Sequence, residues 1–179
     1  SKKMLVEVYR NEIKYVQSYK KGIPDSEIKQ AGETKYRGTR IHFWPDDEIF
    51  DSIEYNFDTL SKRLRELAFL NAGIKIILRD ERNVKEKTSK GTENIFQFKG
   101  GIVSFVNFLN ENKTVIIKKP IYYHTVKDKI DIEVALQYMD TYNENLYTYA
   151  NNINTREGGT HLIGFRSALT RVLNDYLKK

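Results

Sequence analysis

The sequence predicts an α+β fold of two layers, with helices covering one face of a mostly antiparallel sheet. Two segments, Met4–Tyr9 and Ile130–Tyr138, alternate apolar and polar residues as half-buried strands do. Two others, 59–71 and 160–176, repeat apolar residues at three- and four-residue steps, as on one face of a helix. Strand and helix patterns occur in both halves of the chain, so neither half is predicted to be all-α or all-β.

Composition limits the class of protein. The chain has 179 residues, enough for one large or two small domains, and its hydrophobic fraction of 40% fits a folded protein. Cysteine is absent, which excludes a disulfide scaffold and cysteine-ligated metals. No apolar run is long enough to cross a bilayer, so we expect no membrane partner, and the absence of cysteine is compatible with the cytoplasmic location that we expect. A net charge of +6 weakly favours a polyanionic partner such as nucleic acid.

The first half reads as strands followed by a helix and another strand. Met4–Tyr9 and Ile13–Tyr19 flank a short polar turn and predict an antiparallel hairpin. The polar stretch 20–35 is predicted to be mostly loop, and Thr39–Trp44 to be a third strand that ends at a proline.

A helix is predicted to follow from Thr59 to about residue 71, with Asp58 as its N-cap and Gly73 just beyond its end. The strand Ile74–Arg79 comes next. Residues 80–94 are nearly all charged or small and polar, which predicts a mobile loop beside a domain junction.

The second half contains a short strand at Ile95–Phe98, a helix after Gly101 and the alternating strand near 130–138. Asn145–Ile153 is predicted to be a further strand, because its aromatic residues recur at every second position. A loop ends at Gly158 and Gly159, and Thr160 is the predicted N-cap of the last helix. That helix has an apolar stripe, formed by Leu162, Phe165, Leu169, Val172 and Tyr176, opposite a polar face.

Several stretches of the sequence closely resemble a known family. Five stretches occur in the order and at the separations found in the B subunits of bacterial type IIA topoisomerases. In chain order they are GTRIHFWPDDEIF, LRELAFLN, FKGGIVSFVNFLN, VALQY and NNINTREGGTH, the last of which is followed by GFR. The motif LRELAFLN resembles the sequences of gyrase more closely than those of topoisomerase IV. The resemblance covers nearly the whole chain.

The resemblance implies a domain plan. Residues 1–85 are expected to be the C-terminal part of a GHKL (Bergerat) ATPase domain, and 86–94 a mobile loop. Residues 95–179 are expected to be the N-terminal part of a transducer domain similar to domain 2 of ribosomal protein S5. The implied parent is an ATP-hydrolysing isomerase that supercoils DNA by strand passage, working with DNA, a gyrase A subunit and a second B subunit.

The chain lacks the parts of the family that perform the chemistry. The family's catalytic glutamate, magnesium-binding asparagine and ATP lid precede the first residue, and the lysine that reaches the γ-phosphate follows the last. The parent's cofactors are ATP and Mg²⁺, but neither is expected to bind this chain tightly alone. We therefore assign no catalytic residue. The three histidines are far apart in sequence and suggest no metal site.

The resemblance assigns possible roles to four residues. Thr39 matches a threonine that reads the adenine edge of ATP, and Ile41, two residues further along the strand, is expected to add an apolar wall. Arg166 matches an arginine that faces the DNA cavity between two transducer domains. Arg171, on the same polar helix face, is a second candidate for DNA binding. Without the resemblance, a strand threonine, a core isoleucine and a solvated helix face explain the same residues.

Three alternative functions remain open on the sequence. One is the topoisomerase IV B subunit, and another is a mismatch-repair ATPase of similar two-domain plan. The third, from a different class, is a non-enzymatic nucleic-acid-binding module.

Overall fold

The computed structural model describes residues 1–82 and 91–178, and the chain divides into two compact units, Ser1–Asn56 and Phe57–Lys179. The first unit contains β1 (Lys3–Arg10), β2 (Ile13–Lys20), β3 (Ile23–Pro24), β4 (Lys29–Glu33) and β5 (Gly38–Trp44). The second contains α1 (Phe57–Leu70), β6 (Lys75–Asp80), β7 (Thr92–Gln97), α2 (Gly101–Leu109), β8 (Ile121–Lys127), β9 (Ile130–Leu136), β10 (Tyr149–Ala150), β11 (Ile153–Asn154) and α3 (Thr160–Leu177).

The first unit is a five-stranded sheet in the order β3-β2-β1-β5, with β4 also paired to β2. The predicted hairpin of β1 and β2 is confirmed, and its turn residues Asn11 and Glu12 have φ angles of 54° and 61°. Two successive left-handed residues form the tight turn whose twist matches that of paired strands. β5 lies antiparallel to β1 on the other side, with Val8 opposite Thr39.

The prediction of loop for residues 20–35 is wrong in part, because β3 and β4 lie there. Every residue of the two strands is exposed, and both strands pair only with β2 at the margin of the sheet. Their backbone hydrogen bonds form without burial of side chains, so the polar sequence carries no alternating pattern that could have revealed them.

The core of the second unit lies between α1, α2 and the hairpin of β6 and β7. Its buried apolar residues are Ala68, Phe69, Phe96 and Phe105. The ring of Phe69 stacks on that of Phe98 with centroids 3.6 Å apart, and the ring of Phe105 is 5.0 Å away. Ser61 is also buried, and its hydroxyl accepts a hydrogen bond from the Asn94 side chain at 2.7 Å. Aromatic stacking thus joins the first two helices to one hairpin.

The end of α1 agrees with the prediction, but its start does not. The helix begins at Phe57, so Asp58 lies in the first turn instead of capping it. A carboxylate is favoured at either position, because the exposed N–H groups and the helix dipole both attract negative charge. Gly73 has a φ of +86°, which suits the left-handed residue that was predicted after the helix.

The loop within the polar segment 80–94 is shorter than the sequence predicts. Asp80 and Thr92 are the last pair of the β6–β7 ladder, so the prediction of loop is wrong for Thr92–Asn94. Glu93 lies opposite Arg79, and their side chains form an ion pair of 2.5 Å. Cross-strand charge pairs of this kind stabilise a polar strand without burial. Residues 83–90, which include most of the predicted mobile loop, lie outside the described residues.

The rest of the second unit is built from separate hairpins. Within the described ranges, β6–β7, β8–β9 and β10–β11 each form a two-stranded antiparallel sheet, in place of the single sheet that was predicted. The prediction of one strand over Asn145–Ile153 is wrong in part, since only β10 and the first residue of β11 are extended there. Asn151 and Asn152 adopt φ angles of 49° and 65° and form a turn between β10 and β11. Asparagine tolerates left-handed angles better than most residues, and this local preference overrides the alternation.

The last helix begins at Thr160, and its N-cap is Gly159, which offers no side-chain hydrogen bond. The prediction of Thr160 as N-cap is therefore wrong by one residue, an offset common at helix ends. None of the helix's described residues is buried, and Val172 and Tyr176 on its apolar stripe are 60% and 76% exposed. No described helix is both long and apolar enough to cross a membrane.

The α+β class is confirmed, whereas the domain boundary near residues 85–95 stays a prediction. The division into compact units falls at residue 56 instead. The β6–β7 hairpin and the stacking of Phe69 on Phe105 join residues from both sides of the predicted boundary.

Candidate functional site

Thr39 and Ile41 lie on the same face of the first sheet, as their spacing in a strand requires. They stand opposite Val8 and Val6 of β1. Thr39 is exposed and Ile41 is 59% exposed, so this face offers a hydroxyl beside an open apolar surface. In the described parts of the chain, the Thr39 hydroxyl has no hydrogen-bond partner, which leaves it available to a ligand.

The opposite face of the same sheet is polar and internally paired. The Glu7 carboxylate lies 2.6 Å from the Lys14 ammonium and 3.8 Å from the Arg40 guanidinium, and it accepts a hydrogen bond from the Tyr9 hydroxyl at 3.1 Å. The hydrogen bond from Lys14 is the main reason that the pKa of Glu7 is lowered. Arg40 lies between Thr39 and Ile41 in sequence but belongs to this other face, so it is not part of the candidate ligand surface.

Arg166 and Arg171 lie together on the polar side of α3. Both line a shallow open concavity of about 550 Å³, together with Ser167, Thr170, Asn174, Asp175 and Lys178. Arginine, lysine, hydroxyl and amide groups are the side chains that most often contact nucleic-acid phosphates. The predicted pair of arginines is therefore brought onto one surface, hereafter the α3 polar face.

The two arginines differ in their partners. The Arg166 guanidinium donates to the Glu144 carboxylate at 2.5 Å, and both side chains are more than half exposed. Arg171 has no acidic side chain within ion-pair distance among the described residues. Sequence analysis did not identify Glu144, which precedes β10 in the chain and carries no local signature of this contact.

A second contact missed by the sequence analysis ties the β10–β11 hairpin to α1. The Tyr149 hydroxyl donates a short hydrogen bond to the Glu66 carboxylate, and the Arg63 guanidinium lies 2.5 Å from the same carboxylate. Arg63 also donates to the Asn152 carbonyl at 3.0 Å, and the Asn152 amide donates to the Asn71 side-chain oxygen at 3.0 Å. We call Arg63, Glu66 and Tyr149 the α1 latch.

The electrostatics of the α1 latch follow from its partial burial. Burial is the largest cause of the raised pKa of Tyr149, and the adjacent Glu66 carboxylate adds to it, since both disfavour a phenolate. Burial also acts to raise the pKa of Glu66, but the hydrogen bonds from Tyr149 and Arg63 outweigh it and the pKa is lowered. The latch is therefore most stable with a neutral tyrosine and an ionised glutamate.

Hydroxyl groups connect the latched hairpin to the start of α3. The Thr148 and Thr155 hydroxyls are 2.6 Å apart, and the Thr155 hydroxyl lies 3.3 Å from Nε2 of His161 in the first helical turn. Gly158 between them has a φ of +79°, and a Cβ there would meet the Leu162 side chain at 3.1 Å. This glycine thus serves the loop backbone, as the sequence indicated.

The described residues show no group of three or more histidine, cysteine or carboxylate side chains able to hold a metal ion. The histidine nearest to a carboxylate, His124, pairs with Asp131 at 2.7 Å on the exposed β8–β9 hairpin.

Comparison with known proteins agrees with this architecture. A family model described as DNA gyrase B matches residues 101–179. The DNA gyrase B protein of Myxococcus xanthus is 50% identical over 97% of this chain and 20% of its own length, and that of Staphylococcus aureus is 52% identical over 98% and 27%. The chain thus spans about a quarter, or less, of the length of these relatives.

Solved structures give the same result. The 43K ATPase domain of Thermus thermophilus gyrase B, solved with an aminocoumarin, superposes with a TM-score of 0.84 at 35% identity, over 99% of this chain and 47% of that one. The gyrase B protein of Myxococcus xanthus superposes with a TM-score of 0.85 at 22% identity, over 98% and 50%, and shows the fold. The chain therefore shares the fold of a part of the gyrase B ATPase domain structure. Along nearly its whole length, the chain is similar to DNA gyrase B proteins.

Proposed function

We propose that this chain forms the end of the nucleotide-binding domain and the start of the transducer in a gyrase B protein. The complete protein couples ATP binding and hydrolysis to DNA strand passage and supercoiling. The observation that carries this proposal is the α3 polar face, where two arginines share one open surface beside a hairpin that is latched to α1. The hairpin contacts α1 through Tyr149, and Thr155 just after it contacts His161 at the start of α3, so it links the proposed DNA-contacting helix to the helix assigned to the ATPase domain.

The residues present fit one end of an ATP site. A buried adenine requires a fixed polar group beside an apolar wall, and Thr39 with Ile41 offers that combination on one sheet face. When bound, ATP supplies the phosphoanhydride whose hydrolysis drives the cycle, and the parent uses Mg²⁺ with it. We assign none of the described residues to the ion.

The partners of the parent follow from the same assignment. We infer that it works in the cytoplasm with DNA, with the gyrase A protein and with a second copy of gyrase B. The chain offers DNA an exposed basic surface, and the phosphates of the duplex, spaced at regular intervals, attract such a surface whatever the base sequence.

The chain alone is expected not to hydrolyse ATP. It lacks the lid, the catalytic glutamate and the phosphate-binding lysine that the family uses, and Thr39 and Ile41 only form the adenine end of the pocket. Steady-state phosphate release by the purified chain should equal the buffer background. Release above that background that disappears in a Thr39→Ala variant would contradict this expectation.

Arg166→Gln in the complete protein is expected to weaken the stimulation of ATPase activity by DNA. Basal ATPase should fall much less, because Arg166 belongs to the α3 polar face, whereas Thr39 and the proposed adenine surface belong to a strand of the first sheet. Removing one phosphate contact should also reduce the salt dependence of the stimulation by roughly one unit of charge.

The matched control is Lys62→Gln, which removes one positive charge from α1 away from the α3 polar face. This variant should retain the stimulation. Equal losses of basal and DNA-stimulated activity in Arg166→Gln would indicate a structural or nucleotide-binding role and overturn the assignment. DNA binding without any effect on ATPase would favour a non-enzymatic nucleic-acid-binding module.

A further inference from the structure

The α3 polar face contains an ion pair that the DNA-binding role does not require. The Glu144 carboxylate, from the segment between β9 and β10, lies 2.5 Å from the Arg166 guanidinium in the second turn of α3. The pair closes a 22-residue separation in sequence. The Glu144 carboxylate therefore accepts a hydrogen bond from an Arg166 N–H group that would otherwise be available to a DNA phosphate.

The two anions compete because they use the same chemistry. A guanidinium presents its N–H donors as a planar fork, which matches a carboxylate and a phosphate equally well. A carboxylate left beside a bound phosphate also repels it. Arg166 therefore cannot add a phosphate contact at full strength while Glu144 stays in place.

The Glu144 carboxylate can separate from the Arg166 guanidinium at little cost in free energy. Its side chain is 64% exposed, and that of Arg166 is 53% exposed, so both are hydrated when the pair opens. Exposed ion pairs contribute little to stability, which makes exchange of the partner possible at ordinary salt concentrations. Arg171, without a carboxylate partner in the described residues, provides an internal comparison on the same face.

We propose that Glu144 competes with DNA phosphate for Arg166 and so lowers the affinity of the α3 polar face for the duplex. This inference rests on the proposed DNA-contact function. When DNA binds, Arg166 exchanges the Glu144 carboxylate for a phosphate, so the number of ion pairs that Arg166 makes does not increase. Weak, exchangeable contacts suit a surface past which a duplex must move.

The test is the affinity of the chain for a short duplex DNA, measured by fluorescence anisotropy at fixed low salt. Glu144→Gln should bind about two- to fivefold tighter, the range that corresponds to loss of one exposed ion pair. The matched control is Glu157→Gln, which removes the same charge from the exposed loop before α3 but no described ion pair. It should change the affinity less.

A double-variant series separates competition at Arg166 from a general charge effect. The gain from Glu144→Gln should disappear in an Arg166→Gln background and persist in an Arg171→Gln background. Circular dichroism should show unchanged folding, because both side chains are exposed.

The outcomes distinguish this inference from the function on which it rests. If Arg166→Gln binds DNA as tightly as the unaltered chain, the proposed DNA contact itself fails. If Arg166→Gln weakens binding but Glu144→Gln gives no gain, matches Glu157→Gln, or keeps its gain without Arg166, the competition is refuted and the DNA contact stands. Weaker binding by Glu144→Gln would show that the glutamate positions the arginine, which also overturns the proposal.

Discussion

Phe69→Ala is expected to lower the free energy of unfolding of the second unit by about 3–5 kcal/mol. The Phe69 side chain is only 1% exposed, and its ring stacks on those of Phe98 and Phe105. Truncation removes the apolar area of the ring and leaves a cavity between α1 and α2 that rigid aromatic neighbours cannot fill. A loss of this size is a large part of the stability of a typical domain.

The measurement is urea unfolding followed by far-ultraviolet circular dichroism. Phe108→Ala is the matched control, since its ring also lies near Phe69, at 5.4 Å, but is 41% exposed. It should cost clearly less. If the two variants lose equal stability, or if Phe69→Ala loses less than about 1 kcal/mol, the described packing of this core is wrong.

Tyr149→Phe is expected to cost about 1.5–3 kcal/mol, the usual contribution of a hydrogen bond to a charged group. The substitution removes only the hydroxyl that donates to Glu66 and leaves the ring. Thermal or urea unfolding measures the loss. Tyr147→Phe is the control, because within the described residues the Tyr147 hydroxyl has no hydrogen bond, and it should be nearly neutral.

The same variant should change how stability depends on pH. The pKa of Tyr149 is raised in the fold, so above pH 10, the ordinary value, the unfolded chain binds fewer protons than the folded one. The contribution of Tyr149 to stability is therefore fully present below pH 10 and is lost as the pH rises further. Unfolding should show a steeper alkaline loss in the unaltered chain than in Tyr149→Phe. Identical alkaline slopes would contradict the described hydrogen bond.

The contribution of Glu66 to stability should depend on pH in the acid range. Its pKa is lowered in the fold, so its contribution is present above the ordinary value of 4.5 and is lost as the pH falls below it. Part of this acid sensitivity should disappear in Tyr149→Phe, because the hydroxyl that stabilises the carboxylate is gone.

The elements that sequence analysis identified are those with a repeated local pattern. The two strands of the first hairpin flank a polar turn, and the apolar residues of α1 and α2 recur at helical spacing, so these elements could be recognised directly in the sequence. The elements that it missed lack such a pattern. β3 and β4 pair by backbone alone, and Asn151–Asn152 turn a predicted strand into a short hairpin.

The candidate site was predictable only where one strand or one helix face defines it. The period of two places Thr39 and Ile41 on one side, and the helical period places Arg166 and Arg171 on the polar side of α3. The partners Glu144 and Glu66 could not be found in this way. Each meets its partner through a tertiary contact, over 22 residues for Glu144 and 83 for Glu66, and no local spacing encodes such a contact.

The most direct test of the DNA-contact assignment is the salt dependence of duplex binding by the chain and by Arg166→Gln. The logarithm of the binding constant should fall linearly with the logarithm of salt concentration, and the slope should become shallower by roughly 0.9 in the variant, for one lost phosphate contact. The change should be the same on two duplexes of unrelated sequence, because phosphate contacts carry no base information. An unchanged slope, or a loss confined to one duplex, would contradict the assignment of Arg166 to the DNA backbone.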